Sequence, residues 1–149
     1  MDFSPHFWTT LNGSMPHLDT AKACQQLTQF ADVPVWPQMS KLNFRENMYT
    51  QFSAPLPSLV LDEEGEKISF DTSQDITPAL EKFYTPFLEE NLDAFALHQS
   101  YATGFYTMLE HIKSTSETST TWIKGQVTGP ISMGLMVSDQ DLRASLYNE

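Results

Sequence analysis

Small polar residues follow three apolar, β-prone stretches of this chain and could place hydrogen-bonding groups at strand ends. The first stretch ends in residues 12–14 (NGS), the second in Gln38, and the third in Gln126 and Thr128. An NGS turn exposes backbone donors, and Gln126 and Thr128, one strand period apart, would point to the same side. Ligands of α/β proteins bind at the carboxyl ends of strands. Taken locally, the pattern of the third stretch favours a plain core strand with an ordinary turn.

The residue types that most often hold metals or act as nucleophiles are sparse here. The single cysteine, Cys24, lies near the apolar stripe of a predicted helix, which favours a buried core thiol over a nucleophile. The histidines, His6, His17, His98 and His111, lack motif spacing, and His111 is expected at the surface. In the first loop His17 is a site candidate, with a structural loop histidine as the alternative.

Charge and hydropathy exclude several classes of protein. The formal net charge of −11 argues against nucleic-acid binding, which needs cations to neutralise phosphates. Ten of the 19 Asp and Glu residues fall within residues 62–93, which favours a solvated face over a metal site. No apolar run approaches the roughly 18 residues of a membrane span, and the N-terminus lacks the basic and apolar regions typical of a signal peptide. With no disulfide possible within the chain, we expect a soluble, cytoplasmic protein without a membrane partner.

The apolar spacing predicts the elements of the chain in order. The first part contains a buried strand over 7–11, a helix capped by Asp19 and ending near Ala31, an edge strand over 33–38, and a helical segment over 44–52. A β-hairpin from 58–61 and 67–70 follows, then a helix over 76–88 that Pro86 kinks or restarts, an extended link over 93–97, a helix capped by Ser100, a polar loop over 113–121, a buried strand over 122–127, and a helix over 139–149.

This alternation indicates an α/β protein with a parallel sheet, either a barrel or a doubly wound sheet. Neither G-x-G-x-x-G nor G-x-x-x-x-G-K-[ST] occurs, which favours the barrel. A complete (β/α)8 barrel needs about 250 residues. The 149 residues, whose last predicted helix lacks a stop signal, are therefore expected to form a single domain, the first half of a truncated barrel with a β-hairpin insertion. Its open sheet edges predict self-association or pairing with another chain.

Three motifs occur in order along the chain: residues 12–17 (NGSMPH), residues 36–38 (WPQ) followed by 43–48 (NFRENM), and residues 125–130 (GQVTGP). Their order and spacing resemble the cobalamin-independent methionine synthase and uroporphyrinogen decarboxylase superfamily. The likeness is strongest to its small methionine-synthase-like members, and it covers nearly the whole chain but only the N-terminal part of such a protein.

The resemblance implies a (β/α)8 barrel with its site at the strand carboxyl ends. In the methionine synthase branch, zinc lowers the pKa of a substrate thiol for methyl transfer from a folate. The Gly-Ser pair that contacts the amino-acid substrate matches Gly13 and Ser14. Asn12 and His17 depart from the usual family residues. The family's zinc ligands lie on later strands, so the resemblance implies zinc in a full-length protein and none in this fragment.

A thiol or an amino acid is the small-molecule substrate that the resemblance implies. No catalytic residue is predicted. The residues expected to bind the substrate lie in the three strand-end loops: Asn12, Gly13, Ser14, His17, Trp36, Gln38, Gln126, Thr128 and Gly129.

Three functions remain open. The first is the N-terminal fragment of a methionine-synthase-like methyltransferase, which supplies substrate-binding loops and is inactive alone. The second is a uroporphyrinogen-decarboxylase-like lyase, disfavoured because porphyrin carboxylates call for clustered arginines and the chain has only Arg45 and Arg143. The third is a non-catalytic interaction module that pairs through open sheet edges.

Overall fold

The computed structural model describes residues 7–115 and 122–147, and within them it is a mixed α/β structure. The helices are α1 (Thr20–Phe30), α2 (Thr77–Leu88), α3 (Thr103–Ser114) and α4 (Pro130–Met136), and the strands are β1 (Leu59–Asp62), β2 (Lys67–Phe70) and β3 (Ser138–Asp139). Single 3₁₀ turns cover Phe44–Glu46, Leu92–Phe95, Gln99–Tyr101 and Ser145–Tyr147. No helix in the described part of the chain is long and apolar enough to cross a membrane.

The predicted β-hairpin is confirmed. Strand β1 pairs antiparallel with β2, from Leu59 opposite Phe70 to Asp62 opposite Lys67. The Asp62 carboxylate accepts the Gly65 N–H at 2.9 Å, which closes the turn between the strands. Strand β3 adds to β2 in parallel, so the described sheet has the order β1-β2-β3.

Three extended segments, the first (residues 9–15), the second (33–39) and the third (122–128), run parallel to one another. A parallel bridge joins Ser14 to Gln38, and another joins Val35 to Lys124. The second segment therefore lies between the other two. Helix α1 connects the first segment to the second, and α3 lies in the connection between the second and the third.

These segments are not the continuous strands that the sequence predicts. The Val33 N–H donates to the Thr9 carbonyl at 3.0 Å and the Gln38 N–H to the Gly13 carbonyl at 2.6 Å. Between these two hydrogen bonds the second segment advances by five residues and the first by only four. The second segment therefore contains one extra residue, as in a β-bulge. Two prolines in the second segment also lack the N–H that a ladder needs. The pairing is therefore limited to isolated bridges.

Burial in the first and third segments was also predicted wrongly. Phe7 is fully exposed, and the exposed fractions of Leu11, Ile123 and Val127 are 43%, 40% and 69%. Apolar side chains in both outer segments therefore lack cover from the described residues.

The core lies where α1 and α3 pack together against the second segment. It contains Cys24, Leu27, Val35 and Met108, each at most 1% exposed. The predicted Asp19 cap is confirmed, because its carboxylate accepts the Lys22 N–H at 3.0 Å at the start of α1, as capping side chains do. Cys24 is buried as predicted, and this burial raises its pKa to about 12, since a buried thiolate loses its hydration.

Other predictions about side-chain exposure have mixed outcomes. Nine of the ten acidic residues in 62–93 are exposed and Asp71 is half-buried, as expected for a solvated face. The spacing of Phe30 from Ala23 and Leu27 predicts a place on the buried stripe of α1, but Phe30 is 67% exposed. His111, expected at the surface, is half-buried, and its Nε2 lies 3.2 Å from the Thr28 Oγ1.

The start of one helix, one link and one helical segment differ from the prediction. Helix α3 begins at Thr103, after Ala102, so Ser100 is not its cap and lies instead in the preceding 3₁₀ turn. Residues 93–97, predicted to be extended, begin inside the 3₁₀ turn Leu92–Phe95. Helix α2 passes through Pro86 without restarting and ends two residues later. The predicted helical segment over 44–52 forms the 3₁₀ turn Phe44–Glu46 and further turns.

The predicted C-terminal helix over 139–149 is wrong across 139–147. A short helix, α4, begins earlier at Pro130, and β3 and a 3₁₀ turn follow it. The Asp139 carboxylate accepts the N–H groups of Asp141 at 2.9 Å and Arg143 at 2.8 Å, a local alternative to helical hydrogen bonds. Leu142 has a φ of 63°, which a continuing right-handed helix excludes. Residues 148–149, and 116–121 of the predicted polar loop, lie outside the described part.

Candidate functional site

The side chain of Gln126 joins the carboxyl ends of all three extended segments. Its Oε1 accepts the Gly13 N–H at 3.1 Å, and its Nε2 donates to Gln38 Oε1 at 2.5 Å and to Asn12 Oδ1 at 3.3 Å. We call Asn12, Gly13, Gln38 and Gln126 the carboxyl-end cluster. Four residues predicted to bind substrate, from three separate loops, are thus in contact.

Three glutamine side chains continue inward from this cluster as a row of amides. The Gln126 amide donates to Gln38, Gln38 Nε2 donates to Gln51 Oε1 at 2.6 Å, and Gln51 Nε2 donates to the Tyr101 carbonyl at 3.2 Å. Gln38 and Gln51 are only 2% and 1% exposed, so their amides depend on these partners. The row starts at the Gly13 N–H and ends at a backbone carbonyl. Because those two roles are fixed, the orientation of every amide between them is fixed as well.

Glycine is required at position 13 because the backbone of the second segment passes very close. A Cβ added there would lie 2.7 Å from the Trp36 carbonyl oxygen and 3.2 Å from Gln126 Nε2. The loop after it is shaped by Asn12, whose Oδ1 accepts the Ser14 N–H at 3.1 Å. Ser14 itself is exposed.

The remaining predicted site residues lie outside the cluster. Trp36 is half-buried and meets the Phe105 ring edge-to-face with centroids 5.1 Å apart. Buried nitrogens of His17 (Nδ1) and Trp36 (Nε1) have no hydrogen-bond partner among the described residues. The Thr128 hydroxyl donates to the Met48 carbonyl at 2.6 Å, so Thr128 and Gln126 do not share a partner. A Cβ at Gly129 would meet nothing within 4 Å, so the packing does not require glycine there.

A buried carboxylate that the sequence did not single out holds the second loop in place. Glu46 is 0% exposed, and its two oxygens accept the N–H groups of Met39 at 3.1 Å, Thr103 at 2.9 Å and Gly104 at 3.3 Å. The last two are the first N–H groups of α3, where a negative charge is favourable. Glu46 therefore fastens the loop after the second segment to the start of α3.

Gly104 allows α3 to approach the second segment closely. A Cβ at this position would lie 1.8 Å from the Pro37 carbonyl oxygen, a distance that real structures do not contain. The Cys24 thiol also lies 3.9 Å from the Gly104 carbonyl oxygen. The contact places α3 directly against the residue that precedes Gln38.

Arg45 links the hairpin to the same loop and was also not predicted as a site residue. Its Nη2 donates to Glu63 at 2.6 Å, which raises the pKa of Arg45. Its guanidinium lies 5.3 Å from the centre of the Tyr101 ring, within the range of a cation–π contact. A cleft of about 500 Å³ between the hairpin and this loop is lined by Asn47, Tyr49 and Asp139, among others, and by none of the predicted site residues.

Sequence signals for these residues were weak. Glu46 and Arg45 belong to the NFRENM motif, but a charged residue in a polar motif is ordinarily exposed. Gln51 carries no signal, because its partners lie 13 and 50 residues away.

The described histidines do not come together with other metal-binding side chains. His98 Nδ1 lies 2.8 Å from the hydroxyl of Ser100, a local contact, and His6 lies outside the described residues. Across residues 7–115 and 122–147, no group of three or more His, Cys, Asp or Glu side chains could hold a metal ion.

Comparison of the chain with protein-family models, with curated proteins and with solved structures gives no match. Within the cluster, exposed Asn12 carries an amide N–H₂ that donates to no described residue, and the neighbouring Ser14 hydroxyl is equally free. Amide and hydroxyl donors that no described residue engages suit a ligand group rich in acceptor oxygens.

Proposed function

We propose that this chain is the N-terminal part of a methionine-synthase-like (β/α)8 barrel and supplies loops that bind an amino-acid or thiol substrate. The observation that carries the proposal is the contact of Gln126 with both Gly13 and Gln38. It brings together the carboxyl ends of three parallel segments, where ligands of α/β proteins bind.

The connections between the segments support the barrel. Helix α1 lies in the connection between the first and second segments, and α2 and α3 lie in the connection between the second and third. The second segment lies between the first and third. Three successive βα units of a barrel have this order. The hairpin then belongs to the connection between the second and third segments, as an insertion before α3.

Zinc would serve in such a protein to activate the substrate thiol. The described residues do not fit a zinc site, because they bring no three suitable ligands together, and a catalytic zinc needs three protein ligands. In this proposal the chain therefore binds and orients the substrate, and the zinc ligands belong to other parts of a full-length barrel. We assign no catalytic step to any residue described here.

A non-catalytic interaction module is supported by a different observation. Leu11, Ile123 and Val127 in the outer segments are exposed, and exposed apolar side chains that lie together favour association. Light scattering over a range of concentrations tests this candidate: it requires association at high concentration, and a monomer throughout would contradict it. The decarboxylase alternative gains no support, since Arg45 is engaged by Glu63.

Isothermal titration with L-homocysteine tests the proposed function. We expect the chain, and the zinc-loaded longer protein if the coding sequence continues past Glu149, to bind it. Gln126→Ala should weaken binding at least tenfold, because the Gly13 loop loses its tie to the second segment. Gln29→Ala, at an exposed position of α1, is the matched control and should bind normally. Absence of binding by the longer, folded protein would rule out the methyl-transfer proposal.

A further inference from the structure

Lys124 places a cationic side chain beside the carboxyl-end cluster. Its Nζ donates to the Leu11 carbonyl at 2.7 Å, one residue before Asn12. Two residues further along the third segment, Gln126 contacts Gly13. The third segment therefore contacts the first segment twice. The Lys124 ammonium contacts residue 11, and the Gln126 amide contacts residue 13.

The described part of the chain gives this lysine no ion-pair partner. Lys124 is half-buried, and no carboxylate of residues 7–115 or 122–147 lies within 4 Å of its Nζ. An ammonium has three N–H donors, and the Leu11 carbonyl takes one of them. The contact with Leu11 lies at the exposed surface, so the other ammonium donors can reach an anionic ligand from solvent.

We propose that Lys124 binds the carboxylate of the small-molecule ligand at the carboxyl-end cluster. This deepens the proposed function and rests on it for the placement of the ligand in that cluster. The Gly13 N–H is already bonded to Gln126 Oε1, so the carboxylate is bound by side-chain donors. Asn12 Nδ2 and the Ser14 hydroxyl, which donate to no described residue, complete a set of donors for two carboxylate oxygens.

An NMR titration with simple probes tests the charge directly. Sodium acetate and its neutral analogue acetamide are added separately at constant ionic strength, and the backbone amide signals of residues 12–14 are followed. We expect saturable shifts with acetate and none with acetamide. Lys124→Gln should weaken the acetate response at least fivefold, whereas Lys124→Arg keeps the charge and should retain it. Lys22→Gln removes an exposed lysine of α1 and should leave it unchanged.

The proposal is overturned if the wild type shows no acetate shifts at residues 12–14, or if Lys124→Gln responds like Lys22→Gln. Lys124→Arg and the acetate–acetamide comparison decide the matter even if Lys124→Gln unfolds. Titration with L-homocysteine separates the two proposals. If it binds while acetate has no effect, the proposed function stands and the lysine subsite is wrong. If acetate binds at Lys124 and L-homocysteine does not, the subsite stands and the methyltransferase proposal fails.

Discussion

Removing the Glu46 carboxylate should destabilise the protein more than any ordinary change of a charged residue. In Glu46→Ala the N–H groups of Met39, Thr103 and Gly104 lose their acceptor, and the bonds from Met39 and Gly104 are buried while that from Thr103 is partly buried. Each buried donor left without a partner costs at least about 1 kcal/mol, so the free energy of unfolding should fall by about 3 kcal/mol.

Glu46→Gln gives an intermediate result that tests the same geometry. Its single amide oxygen can replace Glu46 Oε2, which accepts from Met39 and Gly104, but its N–H₂ group then faces the Thr103 N–H. One donor is lost and the negative charge at the start of α3 disappears. The expected loss is about 2 kcal/mol.

Urea denaturation followed by tryptophan fluorescence and circular dichroism measures both losses. With an m-value of about 2 kcal/mol/M, Glu46→Ala should lower the midpoint by about 1.5 M. Glu110→Gln is the matched control, since Glu110 is an exposed glutamate of α3, the helix whose first N–H groups Glu46 accepts. Its stability should stay within about 0.5 kcal/mol of the wild type. If Glu46→Ala and this control unfold at the same urea concentration, the three hydrogen bonds to Glu46 do not hold the loop.

Two further predictions concern the contact between α3 and the core. In Gly104→Ala the added Cβ overlaps the Pro37 carbonyl, whereas Gly129→Ala should be tolerated. The same denaturation assay should show a loss of unfolding free energy of about 2 kcal/mol or more for Gly104→Ala, as overpacking costs. The pKa of Cys24, raised to about 12, lies above that of the unfolded thiol. The contribution of Cys24 to the free energy of unfolding should therefore be fully present below about pH 9. Above that pH the free energy of unfolding should fall by up to about 1.4 kcal/mol per pH unit. Cys24→Ala should remove that part of the slope, and an unchanged slope would contradict the burial of the thiol.

The sequence predicted those elements whose signals are local. The Asp19 cap lies three residues from its N–H partner, and the hairpin follows from alternating strands around a Gly-containing turn. Glu46 could not be predicted in the same way, because two of its three partners are 57 and 58 residues away. The final helix failed for the opposite reason: local hydrogen bonds to Asp139 outweigh a helical spacing supported by only two leucines.

The candidate site shows the same difference between features with local sequence signals and features that depend on how distant segments meet. Strand-end composition brought Gln126, Gln38 and residues 12–13 into one prediction, and the structure places them in contact. The strand pattern failed to show that the backbone ladder is interrupted, since an extra residue in the second segment depends on how the two segments meet.

That interruption explains why the candidate site is built from side chains that also hold the fold. Where a regular parallel ladder would supply backbone bonds, the Thr10 hydroxyl donates to the Val33 carbonyl at 2.8 Å, and Lys124 and Gln126 reach the first segment at residues 11 and 13. Substituting Gln126 therefore removes a cross-segment bond as well as a proposed ligand contact. Loss of binding in such a variant supports a direct role only when the unfolding free energy is measured beside it.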